Sequence, residues 1–199
     1  MKKMIVLAAL AACGLGAVQA QESPWMVRFR ATNLDMTNKD RTDLGANLSV
    51  NNKVIPEVDV SYFFNKNIAA ELILTVPQKQ TIQSSLGDLG TFKHLPPTLL
   101  AQYHFTNFNG FKPYVGAGIN YTKISSVNAA VGASAVTLDS HSWGGALQAG
   151  VDIPLDKNWS LNFDVKKIYI KTDVYVGGVN HGTLNLDPIA ASVGVGYRF

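Results

Sequence analysis

The pattern after the first twenty residues predicts an all-β fold, an eight-stranded antiparallel transmembrane β-barrel with short periplasmic turns and long extracellular loops. Three observations predict it. Apolar residues recur at every second position in eight segments of about ten residues, so each segment carries one apolar face when extended. Short and long connections alternate between the segments, the asymmetry of barrels that cross an outer membrane. Aromatic residues gather on the apolar faces near the short connections, where a membrane–water interface holds such amphipathic rings.

The chain opens on an export signal, residues 1–20. Lys2 and Lys3 precede an apolar run from Met4 to Ala12, and Val18, Gln19 and Ala20 form a signal-peptidase site that makes Gln21 the new N-terminus. The run is too short for a permanent bilayer helix, which needs about 20 residues. A second reading stays open, because Leu10, Ala11, Ala12 and Cys13 have the form of a lipoprotein processing site. Under the first reading the single cysteine leaves with the signal, and residues 21–199 form one barrel domain without a disulfide.

The eight segments follow in order. Trp25, Val27, Phe29 and Ala31 alternate with Met26, Arg28, Arg30 and Thr32 in the first. Val58, Val60, Tyr62 and Phe64 oppose Glu57, Asp59 and Ser61 in the second, and Ala70, Leu72, Leu74 and Val76 oppose Glu71, Ile73 and Thr75 in the third. The fourth sets Leu99, Ala101, Tyr103 and Phe105 against Thr98, Leu100, Gln102 and His104. The fifth sets Val115, Ala117, Ile119 and Tyr121 against Tyr114, Gly116, Gly118 and Asn120. Trp143, Leu147, Ala149 and Val151 oppose Gly144, Ala146, Gln148 and Gly150 in the sixth. Trp159, Leu161, Phe163 and Val165 oppose Ser160, Asn162, Asp164 and Lys166 in the seventh. The eighth carries Ile189, Ala191, Val193, Val195, Tyr197 and Phe199 against Ser192, Gly194, Gly196 and Arg198.

Residues 65–67, 106–111 and 154–158 are the short connections; 34–53, 77–94, 123–141 and 171–185 are the long ones. Lipid offers no water to replace a lost ladder bond, so proline should avoid strand centres. Pro24, Pro56, Pro96, Pro97, Pro113 and Pro188 lie near segment starts, Pro77 follows the third segment and Pro154 sits in a turn. Tyr197 and Phe199 form the terminal aromatic pair expected to serve as an assembly signal for the barrel assembly machinery.

Four stretches carry a family resemblance. Residues 95–105 (LPPTLLAQYHF), 113–121 (PYVGAGINY), 164–170 (DVKKIYI) and 186–189 (LDPI) with 194–199 (GVGYRF) resemble the fourth, fifth, seventh and eighth strands of the outer membrane protein W (OmpW) family. Lys167 stands where a large aromatic is more usual. The resemblance implies an eight-stranded barrel with a narrow, partly hydrophobic lumen. It also implies passage of small hydrophobic compounds through the outer membrane, with lateral exit as one route. The long connections match nothing in the family pattern.

The inward set divides by chemistry. Gly116, Gly118, Gly144, Gly150, Gly194 and Gly196 leave space on one side, and Arg28, Arg30, Glu57, Asp59, Glu71, Asp164 and Lys166 are positioned to fill it. Buried unpaired charge is costly, so the arginines are expected to pair with the carboxylates. Two readings follow: a salt-bridged plug, or a selectivity belt for a polar solute. Toward the long connections the inward positions turn apolar, at Ile73, Leu100, Ile168 and Ile170, with Leu34 and Met36 just above the first segment. These are the candidate lining of a channel or receptor for a small hydrophobic solute. The alternative is a structural barrel whose loops contact envelope or host components and whose lumen carries nothing.

Other functions find little support. The formal charge of +3 falls to about +1 without Lys2 and Lys3, too little to point to nucleic acid. The Gly-x-Gly pairs lack the strand–turn–helix setting of a nucleotide site. Asp139, Ser140 and His141 have the residue types of a hydrolytic triad but are neighbours in one connection. His94, His104, His141 and His181 show no metal-ligand spacing. The expectation is a monomeric, non-enzymatic barrel in outer-membrane lipid, with no cofactor and no metal.

Overall fold

A computed structural model describes residues 23–199. The export signal and Cys13 lie outside the described residues. Fifteen strands follow in order: β1 (Trp25–Asp35), β2 (Lys39–Thr42), β3 (Ser49–Val50), β4 (Lys53–Phe63), β5 (Ile68–Thr75), β6 (Gln78–Ser84), β7 (Gly87–Leu95), β8 (Thr98–His104), β9 (Lys112–Val131), β10 (Ser134–Leu138), β11 (His141–Pro154), β12 (Trp159–Ile168), β13 (Lys171–Val176), β14 (Val179–Asn185) and β15 (Ile189–Arg198).

Eight of them form the expected barrel. β1, β4, β5, β8, β9, β11, β12 and β15 pair antiparallel in that order, and β15 returns to β1. Closure leaves no open edge, so the backbone polar groups of the wall are met by ladder bonds, as a bilayer requires. Side chains alternate across the wall. Phe29 and Phe163 are exposed outward, whereas Arg28, Arg30 and Asp164 on the same strands are buried inward.

Turn chemistry explains the short connections. Asn65 Oδ1 accepts the backbone N–H groups of Asn67 and Ile68 at 2.8 and 2.9 Å. Asp156 Oδ1 does the same for Asn158 and Trp159 at 2.8 and 2.7 Å. Each is an Asx turn that reverses the chain in a few residues. Around this end the aromatics pack edge to face: Trp25 on Tyr62 at 4.9 Å, Tyr103 on Phe105 at 5.1 Å, and Tyr197 on both Trp159 and Phe199 at 4.9 and 5.1 Å. At the opposite end Tyr121 packs on Trp143 at 4.8 Å, giving the second girdle.

The long connections differ from the irregular loops expected. They are themselves paired strands that raise the wall into a second ring, running β3, β6, β7, the upper part of β9, β10, β13, β14, β2. Side chains bridge the gap between β2 and β3. Asn38 exchanges two 2.8 Å hydrogen bonds with the backbone of Val50, and Asp40 Oδ2 accepts the N–H of Leu48 at 2.6 Å.

The two rings join imperfectly. The β5–β8 ladder reaches Ile73 and Thr98, and pairing resumes only at Gln78 and His94. Pro77, Pro96 and Pro97 lie inside that break and have no N–H to donate. Buried Asn120 covers it from β9, donating to Pro96 O, Pro97 O and Thr98 Oγ1 at 3.3, 3.2 and 2.8 Å. A second break separates β12 from β13, where the Ile170 N–H reaches Asp187 Oδ1 at 3.0 Å instead of a ladder carbonyl.

Candidate functional site

The seven charged residues singled out in the sequence meet in one network at mid-barrel. Arg28 holds Asp152 in a two-pronged contact, Nε to Oδ1 at 3.1 Å and Nη2 to Oδ2 at 2.7 Å. Its Nη1 donates to Ser61, Glu71 and Asp59 at 2.8, 3.1 and 3.3 Å. Arg30 donates to Asn162, Glu57 and Glu71 at 2.8, 3.1 and 3.2 Å, and lies 3.2 Å from Asp59 Oδ2. Lys166 Nζ bridges Glu57 and Asp164, both at 2.8 Å. Arg28, Asp59, Glu71 and Lys166 have no solvent exposure.

Sequence reasoning missed part of this network. Asp152 escaped because the sixth segment, as read from the sequence, ends at Val151, short of the 154–158 connection. Continuing the period of two from Gln148 through Gly150 places it inward. Tyr114 and Gln148 were on the inward face without a role. Tyr114 donates to Asp164 Oδ2 at 2.8 Å, and Gln148 Nε2 donates to Glu71 and Asp164 at 2.7 and 2.8 Å. The glycines act on neighbours more than across the lumen. A Cβ on Gly150 would collide with the Tyr114 ring, so Gly150 is what lets the tyrosine lie flat under the network. Gly194 and Gly196 are the ladder partners of Arg30 and Arg28, leaving room beside the two guanidinium stems.

Above the charged layer lies a polar shelf of Thr32, Thr98, Asn120, Thr122 and Ser192, all buried. Above that, Ile73, Leu100, Ile168 and Ile170 belong to one buried apolar cluster with Leu34 and Met36. The outer ring completes it: Val50, Ile82, Phe92, Val136, Val174 and Leu184 point into the same cluster. The apolar cluster therefore reaches further outward than the sequence indicated, because about half of its residues come from stretches read as loops.

The lumen opens differently at its two ends. On the short-turn side a cavity of about 290 Å³ is lined by Lys66, His104, Asp152, Ser160 and Arg198 among others, directly under the charged layer. On the side wall at the second girdle, a crevice of about 250 Å³ runs between Trp143–Gly144 and Tyr169–Lys171. Ile170, a member of the apolar cluster, forms part of its floor. Gly144 is required there, since a Cβ would overlap the carbonyl of Tyr169.

The remaining candidates fall into place. Ser140 Oγ lies 3.1 Å from His141 Nδ1 on the exposed surface, but Asp139 turns to the Tyr175 hydroxyl at 3.3 Å rather than to the histidine. His104 shares a 3.0 Å hydrogen bond with Gln102, and His181 pairs with Asp43 at 2.8 Å. His94, read as lying in a long connection, is instead buried in β7. Tyr197 and Phe199 sit in the aromatic girdle at the short-turn end, with Phe199 exposed.

A closed eight-stranded wall, two aromatic girdles and an ion-filled middle define an outer-membrane β-barrel. The comparisons agree and give the family: the OmpW family model matches residues 16–199, and the chain belongs to the OmpW family. It is 42% identical over 192 residues to the uncharacterized outer-membrane protein y4mB of Sinorhizobium fredii, covering 92% of this chain and 82% of the relative. It is 35% identical to outer membrane protein W of Escherichia coli over the full length of both. The dibenzothiophene metabolism operon protein DoxH of a Pseudomonas species is 30% identical, covering 100% of this chain and 99% of DoxH. Among solved structures, OprG of Pseudomonas aeruginosa superposes with a TM-score of 0.78 at 25% identity, covering 92% of this chain and 99% of OprG. AlkL in lipid bilayers superposes at 0.69 with 29% identity, covering 93% and 95%. The protein resides in the cell outer membrane, with the short turns facing the periplasm.

Proposed function

We propose that this barrel, as a monomer, takes up small hydrophobic molecules from outside the cell into its apolar upper lumen and releases them sideways into the membrane. One observation carries the reading: the apolar cluster stands over a paired ionic layer, with only a thin polar shelf between them. A hydrophobic solute gains by entering the cluster, since burial is worth roughly 25 cal/mol per Å² of apolar surface. It gains nothing by going further down, where it would have to break the contacts of Arg28, Arg30 and Lys166. The wall beside the cluster is weaker. The crevice at Trp143 and Tyr169 reaches Ile170 at the height of the outer girdle, which gives a lateral way out. An operon for dibenzothiophene metabolism, to which the relative DoxH is assigned, deals with a solute of this apolar kind.

The test is binding of a neutral fluorescent hydrophobe to the purified, refolded barrel, alongside the variant Leu100→Asp with Ile168→Asp. Saturable binding lost in the variant, with the barrel still heat-modifiable, is the expected result. Equal partitioning into both proteins, indistinguishable from empty micelles, would overturn the reading and leave a structural barrel.

A further inference from the structure

The apolar cluster contains two residues that do not belong in it. Gln80 and His94 are each 1% exposed, and all four of their side-chain polar atoms lack a hydrogen-bond partner among the described residues. Their neighbours explain the isolation. On β6 and β7 the inward positions are Gln78, Gln80, Ile82, Phe92 and His94, and Gln80 faces Phe92 across the ladder. His94 faces Gln78 on one side and Ile124 of β9 on the other, with the Phe92 ring 6.0 Å away. Gln78 turns its amide to Val76 O, donating at 2.8 Å, and makes no hydrogen bond with His94. Two polar side chains on adjacent strands thus point into the apolar interior with nothing among the described residues to bond.

A buried polar group left unmet costs stability, and native proteins keep few of them. The nearby sequence shows no structural need for polarity here, since Ile82 and Phe92 fill equivalent inward positions. The chemistry of the pair is specific. A neutral imidazole carries one donor and one acceptor, and a carboxamide carries both kinds. Together they complement a group that also donates and accepts. The group should be uncharged, because an ion buried in this cluster would lack a counter-ion.

We infer that Gln80 and His94 are the polar anchor of the solute site, so the molecules this barrel takes up are compact apolar skeletons bearing a single uncharged oxygen function, such as a hydroxyl. The inference rests on the upper-lumen reading above and sharpens it from hydrophobic to hydrophobic with one head. Such a molecule enters with its head toward β6 and β7 and its skeleton against Leu100, Ile168 and Ile170.

Two probes with one skeleton separate the anchor from the lumen. Naphthalene and 2-naphthol differ by a hydroxyl, and both report their environment by fluorescence. Wild-type barrel is expected to bind 2-naphthol about threefold to tenfold more tightly than naphthalene after correction for partitioning into empty micelles, the discrimination one or two neutral hydrogen bonds provide. The Gln80→Leu, His94→Leu variant should bind both probes alike, with naphthalene affinity kept or improved. His94→Gln, which keeps a donor and an acceptor, should retain part of the preference. In wild-type protein labelled with ¹⁵N at histidine, 2-naphthol should shift the His94 ring nitrogens more than naphthalene does. Saturable binding of both probes without discrimination, or discrimination that survives the double variant, would overturn the anchor and leave the lumen reading intact. Failure of both probes to bind above empty micelles would overturn the two together.

Discussion

At the scale of single residues, Arg28 and His94 show opposite solutions to burial. Arg28 has no exposure and meets Asp152, Asp59, Glu71 and Ser61. Removing one partner from such a network leaves uncompensated buried charge, which costs about 3–5 kcal/mol. Arg28→Met should therefore lower the unfolding free energy read from urea titration in micelles by that amount, whereas Arg28→Lys, which keeps the charge but loses the two-pronged contact with Asp152, should fall between. His94 instead stays neutral: burial, with the Lys53 ammonium adding to it, lowers its pKa to about 4. The sign follows from proton counting. Between the unfolded value near 6.5 and about 4 the unfolded chain binds the extra proton, so His94 costs nothing above pH ~6.5 and destabilises the fold as pH falls. Over that window the loss approaches about 3 kcal/mol. Comparing unfolding of wild type and His94→Leu at pH 7.5 and pH 4.5 isolates it, because the carboxylates titrate alike in both. The variant should lose less stability on acidification, and parallel losses would show that His94 is not buried neutral.

At the scale of elements, the membrane strands were legible in the sequence and the outer strands were not, for one physical reason. A strand in lipid must be apolar outward, so Phe29, Leu72, Ile119 and Phe163 announce themselves at every second position. Above the bilayer the outward face meets water. There β6 presents Lys79 outward against Lys93 of β7, and β2 is Lys39, Asp40, Arg41 and Thr42. Such segments have no apolar outer face and read as loops, although Ile82, Phe92, Val174 and Leu184 face the core. The charged network was legible for the same reason that the wall was, since charges inside an apolar alternation stand out. The boundary between the rings was marked only by prolines, which indicate a lost ladder bond but not what replaces it. Asn120 does so at Pro96 and Pro97. Asn120→Ala removes one donor from each carbonyl, leaving Thr98 Oγ1 on Pro96 O and the Tyr121 N–H on Pro97 O, and should cost about 1 kcal/mol, the net worth of a lost hydrogen bond. Hydrogen exchange at the Tyr121 amide, which donates to Pro97 O at 3.0 Å, should quicken while amides lower in β9 keep their protection. Unchanged exchange at Tyr121 would mean that the ladder holds the break closed without Asn120.

At the scale of the whole molecule, two stacked rings are closed by different means, and the difference assigns them different tasks. The membrane ring closes by the β1–β15 ladder, ten paired positions from Met26 with Arg198 to Asp35 with Ile189. The outer ring closes between β2 and β3 through side chains: Asn38 and Asp40, with Asn52 at the base accepting the Met36 N–H at 2.8 Å and donating to Asp35 Oδ1 at 2.6 Å. Asn38 holds a left-handed backbone with φ of 51° there, a conformation asparagine tolerates better than most residues. A seam of side-chain bonds opens at lower cost than a ten-residue ladder, so under the proposed function it is the expected point at which the outer ring loosens to admit a solute. Asn38→Ala with Asp40→Ala should therefore speed the association of a fluorescent hydrophobe severalfold while leaving the heat-modifiable membrane barrel at wild-type level. A disulfide joining the seam, through Asn38→Cys with Val50→Cys, should slow association in its oxidised form and restore it on reduction. If neither variant changes the association rate, the solute enters elsewhere, and the lateral crevice at Trp143 and Tyr169 becomes the entrance to test.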